Sequence, residues 1–309
     1  MPKKTNLIMK KYFENIMKKR HSIKVLILLM LCIFSSYQSF SQETDSTNVA
    51  IEEPKKNNRP VKDMFESACI LNTQTTEIPT ANTLEFMIQH RFGKLNSEEF
   101  DLLGMYAPSN IRIGLSYSLT NNLLVGVGTT KNNKLQDVNW KYAIVKQTRS
   151  GSMPLSVSYY GNVAVDARSD MYPKITNRLS YYHQLILARK INKSISIQLS
   201  PSYSYFNTVD SLIERSGFGL SFSGRVKVRE ALSVVFEYDQ HFTTQIETLL
   251  PVKPNLSLGI ETATSAHVFQ IFIGTADAIM NQYNEMYNTN DFTKKDLLIG
   301  FNITRLWNL

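Results

Sequence analysis

Cysteine is nearly absent from this 309-residue chain: Cys32 and Cys69 are its only two, so no disulfide framework holds it together. Long apolar runs are missing too. The longest, Val25–Phe34 (VLILLMLCIF), has ten residues, whereas a membrane-spanning helix needs about 20. No GxSxG, HExxH or phosphate-cradling glycine loop occurs. The five histidines are dispersed, which leaves no visible metal cluster. The oxygen-rich stretch Asn281–Asp291 (NQYNEMYNTND) carries few carboxylates and no Ca²⁺-loop spacing, and reads as a solvated loop. These absences give an expectation of no enzyme: no catalytic residue, no metal and no cofactor. Asp239 and His241, two residues apart, are the one pair that could activate water.

A true excess of positive charge is also lacking. The formal +8 comes from the first 41 residues, which hold eight of the 34 Lys and Arg but only Glu14 among the 26 acids; without them, 26 basic residues face 25 acidic ones. A nucleic-acid partner is therefore not expected. Lys18-Lys19-Arg20 and Lys24, the apolar run, and Ser39-Phe40-Ser41 before Gln42 have the order of a cleaved signal peptide over residues 1–41. Residues 42–80, with Glu52–Pro60 (EEPKKNNRP), read as a polar, solvent-exposed periplasmic linker or lead-in. Within it Val61–Thr76 is more mixed, and suits an extra strand, a short helix at a barrel mouth or an ordered lead-in.

What is present is alternation. In Asn110–Lys131, Ile111, Ile113, Leu115, Tyr117 and Leu119 share one face, and Arg112, Gly114, Ser116 and Ser118 the other. After Thr120-Asn121-Asn122 the pattern resumes with Leu123, Val125 and Val127 against Leu124, Gly126 and Gly128. Period-2 patterning of this kind marks strands with one apolar face. It predicts twelve strands: Thr83–Phe92, Asn110–Leu119, Leu123–Thr130, Asp137–Thr148, Pro154–Asp166, Asn177–Arg189, Ser194–Phe206, Ser216–Lys227, Ala231–Asp239, Asn255–Thr262, Ala266–Gly274 and Asp296–Thr304. Connections alternate between long, as in Gly93–Ser109 and Thr275–Lys295, and short turns of mostly three or four residues. That order belongs to outer-membrane barrels, whereas a soluble sandwich has no reason to keep it.

The second face is small and neutral (Gly114, Ser116, Gly126, Ser158, Ser200, Ser221, Ser257), where a soluble sheet would show charge. The reading is an all-β, antiparallel up-and-down transmembrane β-barrel of about twelve strands over residues 81–309, with lipid as the partner of the apolar face. Tyr106, Trp140, Tyr159, Tyr181, Tyr205, Tyr238 and Trp307 suit interfacial girdles. Pro201 falls mid-strand and predicts a bulge or local break. His90 and His183 fall on the apolar face, which predicts an interfacial position or a register shift.

Ionisable residues expected in the lumen are Glu85, Arg91, Arg112, Lys141, Arg178, Arg225, Glu237 and Glu261, with Asp239 beside them. Mixed signs suit either an ion-pair network that fills the barrel or a weakly selective constriction. The functional expectation is a passive channel or solute-binding barrel of unknown substrate. The alternative is a non-conducting scaffold that binds a periplasmic or surface protein through its linker or loops.

LEFMIQHRFG (Leu84–Gly93), IRIGLSYSLTNNLLVGVG (Ile111–Gly128), WKYAIVKQ (Trp140–Gln147) and IGFNITRLW (Ile299–Trp307) resemble an uncharacterised family of Bacteroidota-type outer-membrane β-barrel proteins. His90-Arg91-Phe92-Gly93 is the most specific part. The resemblance implies fold and location, with no established activity to carry over.

Overall fold

The computed structural model describes residues 57–95, 104–168, 172–210, 213–242 and 251–309. The expected signal peptide and residues 42–56 of the expected linker lie outside them. Twelve antiparallel strands follow one another around a closed barrel: β1 (Thr83–Lys94), β2 (Asn110–Thr120), β3 (Leu123–Thr130), β4 (Leu135–Val145), β5 (Ser156–Asp166), β6 (Leu179–Lys190), β7 (Ile195–Phe206), β8 (Ser216–Arg229), β9 (Leu232–His241), β10 (Asn255–Ala263), β11 (His267–Gly274) and β12 (Leu298–Asn308). Each strand pairs with its sequence neighbours, and β1 closes on β12, with Thr83 opposite Asn308 and Arg91 opposite Gly300. Every predicted strand is present, shifted by a few residues at its ends. Among the described residues no helix is long and apolar enough to cross a membrane.

Burial is inverted relative to a soluble protein. Along β10, Asn255, Ser257, Gly259 and Glu261 are buried while Leu256, Leu258 and Ile260 are exposed. Ile271 is 66% exposed and Lys141 only 1%. An apolar outer surface around a polar interior is stable only if lipid covers the outside, and closure leaves no unpaired strand edge to desolvate.

Pro201 makes a local break without a bulge. Pairing with β8 runs straight through it, from Ser200↔Ser221 to Ser202↔Gly219. On the other side the ladder stops at Gln184↔Ser202 and resumes in the same register at Leu187↔Leu199. The two histidines on the apolar face keep register as well, and aromatic neighbours cover them. His90 stacks on Phe301 at 5.0 Å, and His183 Nδ1 shares a 2.6 Å hydrogen bond with the Tyr159 hydroxyl.

Candidate functional site

Of the expected linker, residues 57–60 are exposed, as a solvated stretch should be, whereas the mixed stretch Val61–Thr76 is neither an extra strand nor a helix at the barrel mouth. From Met64 to Thr76 the chain lies inside the barrel, with Met64, Phe65, Ser67, Ala68, Cys69, Ile70, Leu71, Asn72, Thr73, Thr75 and Thr76 all buried. It forms no strand of the barrel, only an isolated bridge between Cys69 and Gln74 with bonds from Ile70 N to Thr73 O and Thr75 N to Ala68 O. The physical reason is satisfaction of its backbone. An irregular segment buried in a polar lumen must find hydrogen-bond partners on the wall, and inward-facing side chains supply them.

The wall grips this plug from many directions. Lys141 Nζ donates to Ala68 O at 2.7 Å and to Glu77 O at 3.3 Å. Arg91 donates to Leu71 O (3.1 Å) and Asn72 Oδ1 (2.9 Å). Glu237 accepts from the backbone N–H groups of Asn72 and Thr73 at 3.0 and 2.9 Å, and from Asn72 Nδ2 at 2.8 Å. Gln184, Gln198, Gln270 and Asn302 donate to Thr73 Oγ1, Gln74 O, Cys69 O and Leu71 O. Arg225 bridges Glu66 of the plug (2.6 Å) and Glu261 of the wall (2.8 Å).

Of the ionisable residues expected in the lumen, Glu85, Arg91, Lys141, Arg225, Glu237 and Glu261 are buried there. Arg112 faces inward too, where it forms a bidentate pair with Asp137 at 3.0 and 2.7 Å. Gly128 makes room for that pair, since a Cβ there would fall 2.3 Å from the guanidinium and 2.5 Å from the carboxylate. Arg178 is displaced from its expected place. It belongs to the 3₁₀ turn Ile175–Arg178 that precedes β6 and donates to Asp166 O at the rim. This 3₁₀ turn delays the start of the alternation by two residues, from Asn177 to Leu179.

The other end of the lumen is filled by the connection between β11 and β12. Asn281–Asp291 is not a solvated loop. It contains helix α1 (Asn281–Tyr287), in which Gln282, Asn284, Glu285 and Met286 are buried. Polar side chains on one helical face suit a polar wall. Gln282 donates to Asn162 Oδ1 at 3.0 Å, and Glu285 Oε2 accepts from Ser202 Oγ at 2.6 Å. Gly219 permits this approach, because a Cβ there would lie 2.7 Å from the same carboxylate oxygen. Asn255 joins the two ends: its amide nitrogen donates to Glu237 and Asp239, and its oxygen accepts from Thr275 and Ala276.

Burial raises the Glu285 carboxyl from 4.5 to about 7. The docked helix keeps the proton up to that pH, while a released one gives it up near the ordinary value. Docking is therefore strongest below pH 4.5, weakens as the pH rises to 7 and is level above, by no more than about 3 kcal/mol. The opening free energy of residues 281–290, from hydrogen exchange corrected for the base-catalysed intrinsic rate, is expected to fall across that interval, and Glu285→Gln to remove the slope. An identical slope in the variant would assign it elsewhere.

Asp239 and His241 both line a small enclosed space beside Ser202, Ser221 and Glu285. Asp239 accepts from Asn255 at 2.8 Å, whereas neither ring nitrogen of His241 has a hydrogen-bond partner. Nothing there couples the histidine to a nucleophile. No group of His, Cys, Asp and Glu able to hold a metal occurs among the described residues.

Residues 65–307 match the family model described as "Membrane bound beta barrel domain (DUF5777)", and the chain belongs to that family. No curated protein matches it. Similar solved structures include the NanC porin, at 9% identity over 73% of this chain and 99% of that one, with a TM-score of 0.46. An outer-membrane channel from Pseudomonas putida F1 is similar at 10% identity over 75% and 97%, TM-score 0.46. The outer-membrane phospholipase A of Escherichia coli is similar at 13% identity over 73% and 91%, TM-score 0.42. These identities and scores carry no argument about activity.

Proposed function

We propose that this member of the membrane-bound β-barrel family is an outer-membrane, non-enzymatic barrel of the channel type, held closed by its own N-terminal segment. One observation carries the reading: residues 64–76 lie buried in the lumen and are bonded to the wall by Arg91, Lys141, Gln184, Glu237 and Asn302. Beneath the plug the wall is lined by Ser and Gly with fixed ions, a surface that water can wet once the plug has left. Both ends of the barrel sequence meet at the short-turn end, since Thr83 pairs with Asn308. In an outer-membrane barrel short turns face the periplasm and long loops face outward. Pro60, which pairs with Thr148 in the short connection between β4 and β5, then lies on the periplasmic side, where a protein partner that pulls on this stretch would open the lumen. A cleaved signal peptide over residues 1–41 and a place in the Bacteroidota-type branch with the HRFG run complete the reading.

The test is electrical. The full chain, refolded in detergent and inserted in a planar bilayer, is expected to show a closed baseline with rare discrete openings. Mild urea that leaves the barrel folded is expected to lengthen those openings while Cys69 becomes reactive to maleimide. A barrel whose Cys69 labels fully yet never conducts would favour a scaffold over a channel.

A further inference from the structure

A second cavity opens at the long-loop end, away from the plug. It measures about 390 Å³ and is walled by Phe206, Tyr172, Tyr283 and Tyr287, with Asn177 and Thr208 at its edge. That volume is within the usual range for small-molecule sites, about 300–1,000 Å³. Two spaces inside the barrel, one beside Asp239 and one beside Arg112, in contrast measure about 20 Å³ each, too little for a ligand larger than water.

The lining follows from the sequence of α1. Tyr283 and Tyr287 stand four residues apart and so share one face of the helix, while Gln282, Glu285 and Met286 turn into the barrel. Phe206, the last residue of β7, meets both tyrosines edge-on at 5.1 and 5.5 Å, with interplanar angles of 83° and 89°. Its buried ring fixes the two phenol rings, which lie 5.9 Å apart and tilted by 34°. Aromatic rings held this way cost little entropy to order when a ligand packs against them. Burial raises both phenols, Tyr287 to about 12, so each keeps a hydroxyl proton to donate at neutral pH.

The charges around the cavity cancel. Arg168 closes on Asp166 through two guanidinium nitrogens, and Arg178 donates to Asp166 O. Asp210 stands opposite. With two acids and two bases at the rim, there is no net charge to attract an ion. What is left for a ligand is aromatic surface together with amide and hydroxyl groups.

We infer that this cavity is a binding site for a neutral saccharide of one or two rings. A pyranose presents an apolar face of C–H groups that packs on an aromatic ring, and a rim of hydroxyls that bond to amide and hydroxyl groups. It thus matches both halves of the lining. The source can be a free sugar or a sugar unit of a surface glycan, which share this chemistry. The inference does not depend on whether the lumen opens.

The experiment is isothermal titration of the full chain in a detergent without a sugar headgroup. The probes are glucose, galactose, mannose, N-acetylglucosamine, maltose, lactose and cellobiose, with galacturonate and choline as charged contrasts. Saturable binding of at least one neutral sugar is expected, weakened about tenfold by Tyr287→Ala, in line with loss of a packed aromatic contact. Thr208→Trp, which fills the cavity from a different loop, is expected to abolish binding, and Tyr106→Ala, in another loop, to leave it unchanged. Saturation transfer from the protein to the whole methyl glycoside of the bound sugar, including its anomeric methyl, would place the site on a glycan chain; recognition confined to the free reducing sugar would place it on a soluble nutrient. No neutral sugar binding up to about 10 mM, tighter binding of galacturonate or choline, or binding indifferent to Thr208→Trp would each overturn the assignment.

Discussion

Replacing Glu237 with alanine is expected to speed maleimide labelling of Cys69 roughly 100-fold, because about 3 kcal/mol of plug retention goes with it. The carboxylate is fully buried and accepts two backbone N–H groups of the plug, those of Asn72 and Thr73, besides the amides of Asn72 and Asn255. Without it, two buried N–H groups have no acceptor, at about 1–3 kcal/mol each. Cys69 is a suitable reporter. It is the only cysteine among the described residues, it is 1% exposed, and burial, aided by the charge of Glu237, pushes its thiol up to about 12. Because the thiolate is the reactive form, a seated plug suppresses labelling twice, through access and through ionisation. When opening is fast relative to labelling, the rate reports the open population. Glu237→Gln keeps one acceptor oxygen and should fall between wild type and Glu237→Ala. Labelling that stays slow in Glu237→Ala, in a barrel that still migrates as folded, would show that this carboxylate does not hold the plug.

Arg91→Met is expected to loosen the plug by a comparable amount, about 2–4 kcal/mol, and to raise the frequency of channel openings. Arg91 is buried against β12, where it donates to Asn302 Oδ1 at 3.0 Å, and its guanidinium lies 4.5 Å from the centre of the Phe272 ring. From that fixed position it donates to Leu71 O and Asn72 Oδ1. Arg91 and Glu237 thus hold the same plug residue, Asn72, from β1 and β9. Removing one leaves the other as a buried charge with a weakened set of partners. Converting both, Arg91→Met with Glu237→Leu, replaces two charges with apolar groups and should cost less than the two single changes added together, by 1 kcal/mol or so. A labelling-rate cycle over the four proteins measures the difference. Strict additivity would mean that the two residues act on separate parts of the plug.

Much of this barrel was legible in the chain. Ile111 to Leu119 against Arg112 to Ser118 assigned one face to lipid and one to the interior, because a strand has only two faces and a period of two. The alternation of long and short connections then ordered the strands, and even Pro201 announced the break in its ladder. The inward ions were readable for the same reason, since Arg91, Lys141 and Glu237 lie on the small, neutral face. Arg178 escaped because a 3₁₀ turn carries no period-2 signal.

The contents of the barrel were not legible. Met64–Thr76 alternates with neither period, and its Asn, Thr and Ser suit solvent as well as they suit a polar lumen. Only the closed wall, which brings Arg91 of β1, Glu237 of β9 and Asn302 of β12 around Leu71 and Asn72, makes burial of that segment favourable. α1 posed the same difficulty: Gln282 and Glu285 look like loop residues until Asn162 and Ser202, more than eighty positions away, meet them. Local alternation and turn length are enough to set the strands, their faces and their order. That the lumen is filled, and that an aromatic cavity stands beside the filling, depends on hydrogen bonds and ring contacts between residues far apart in the chain, which no local pattern encodes.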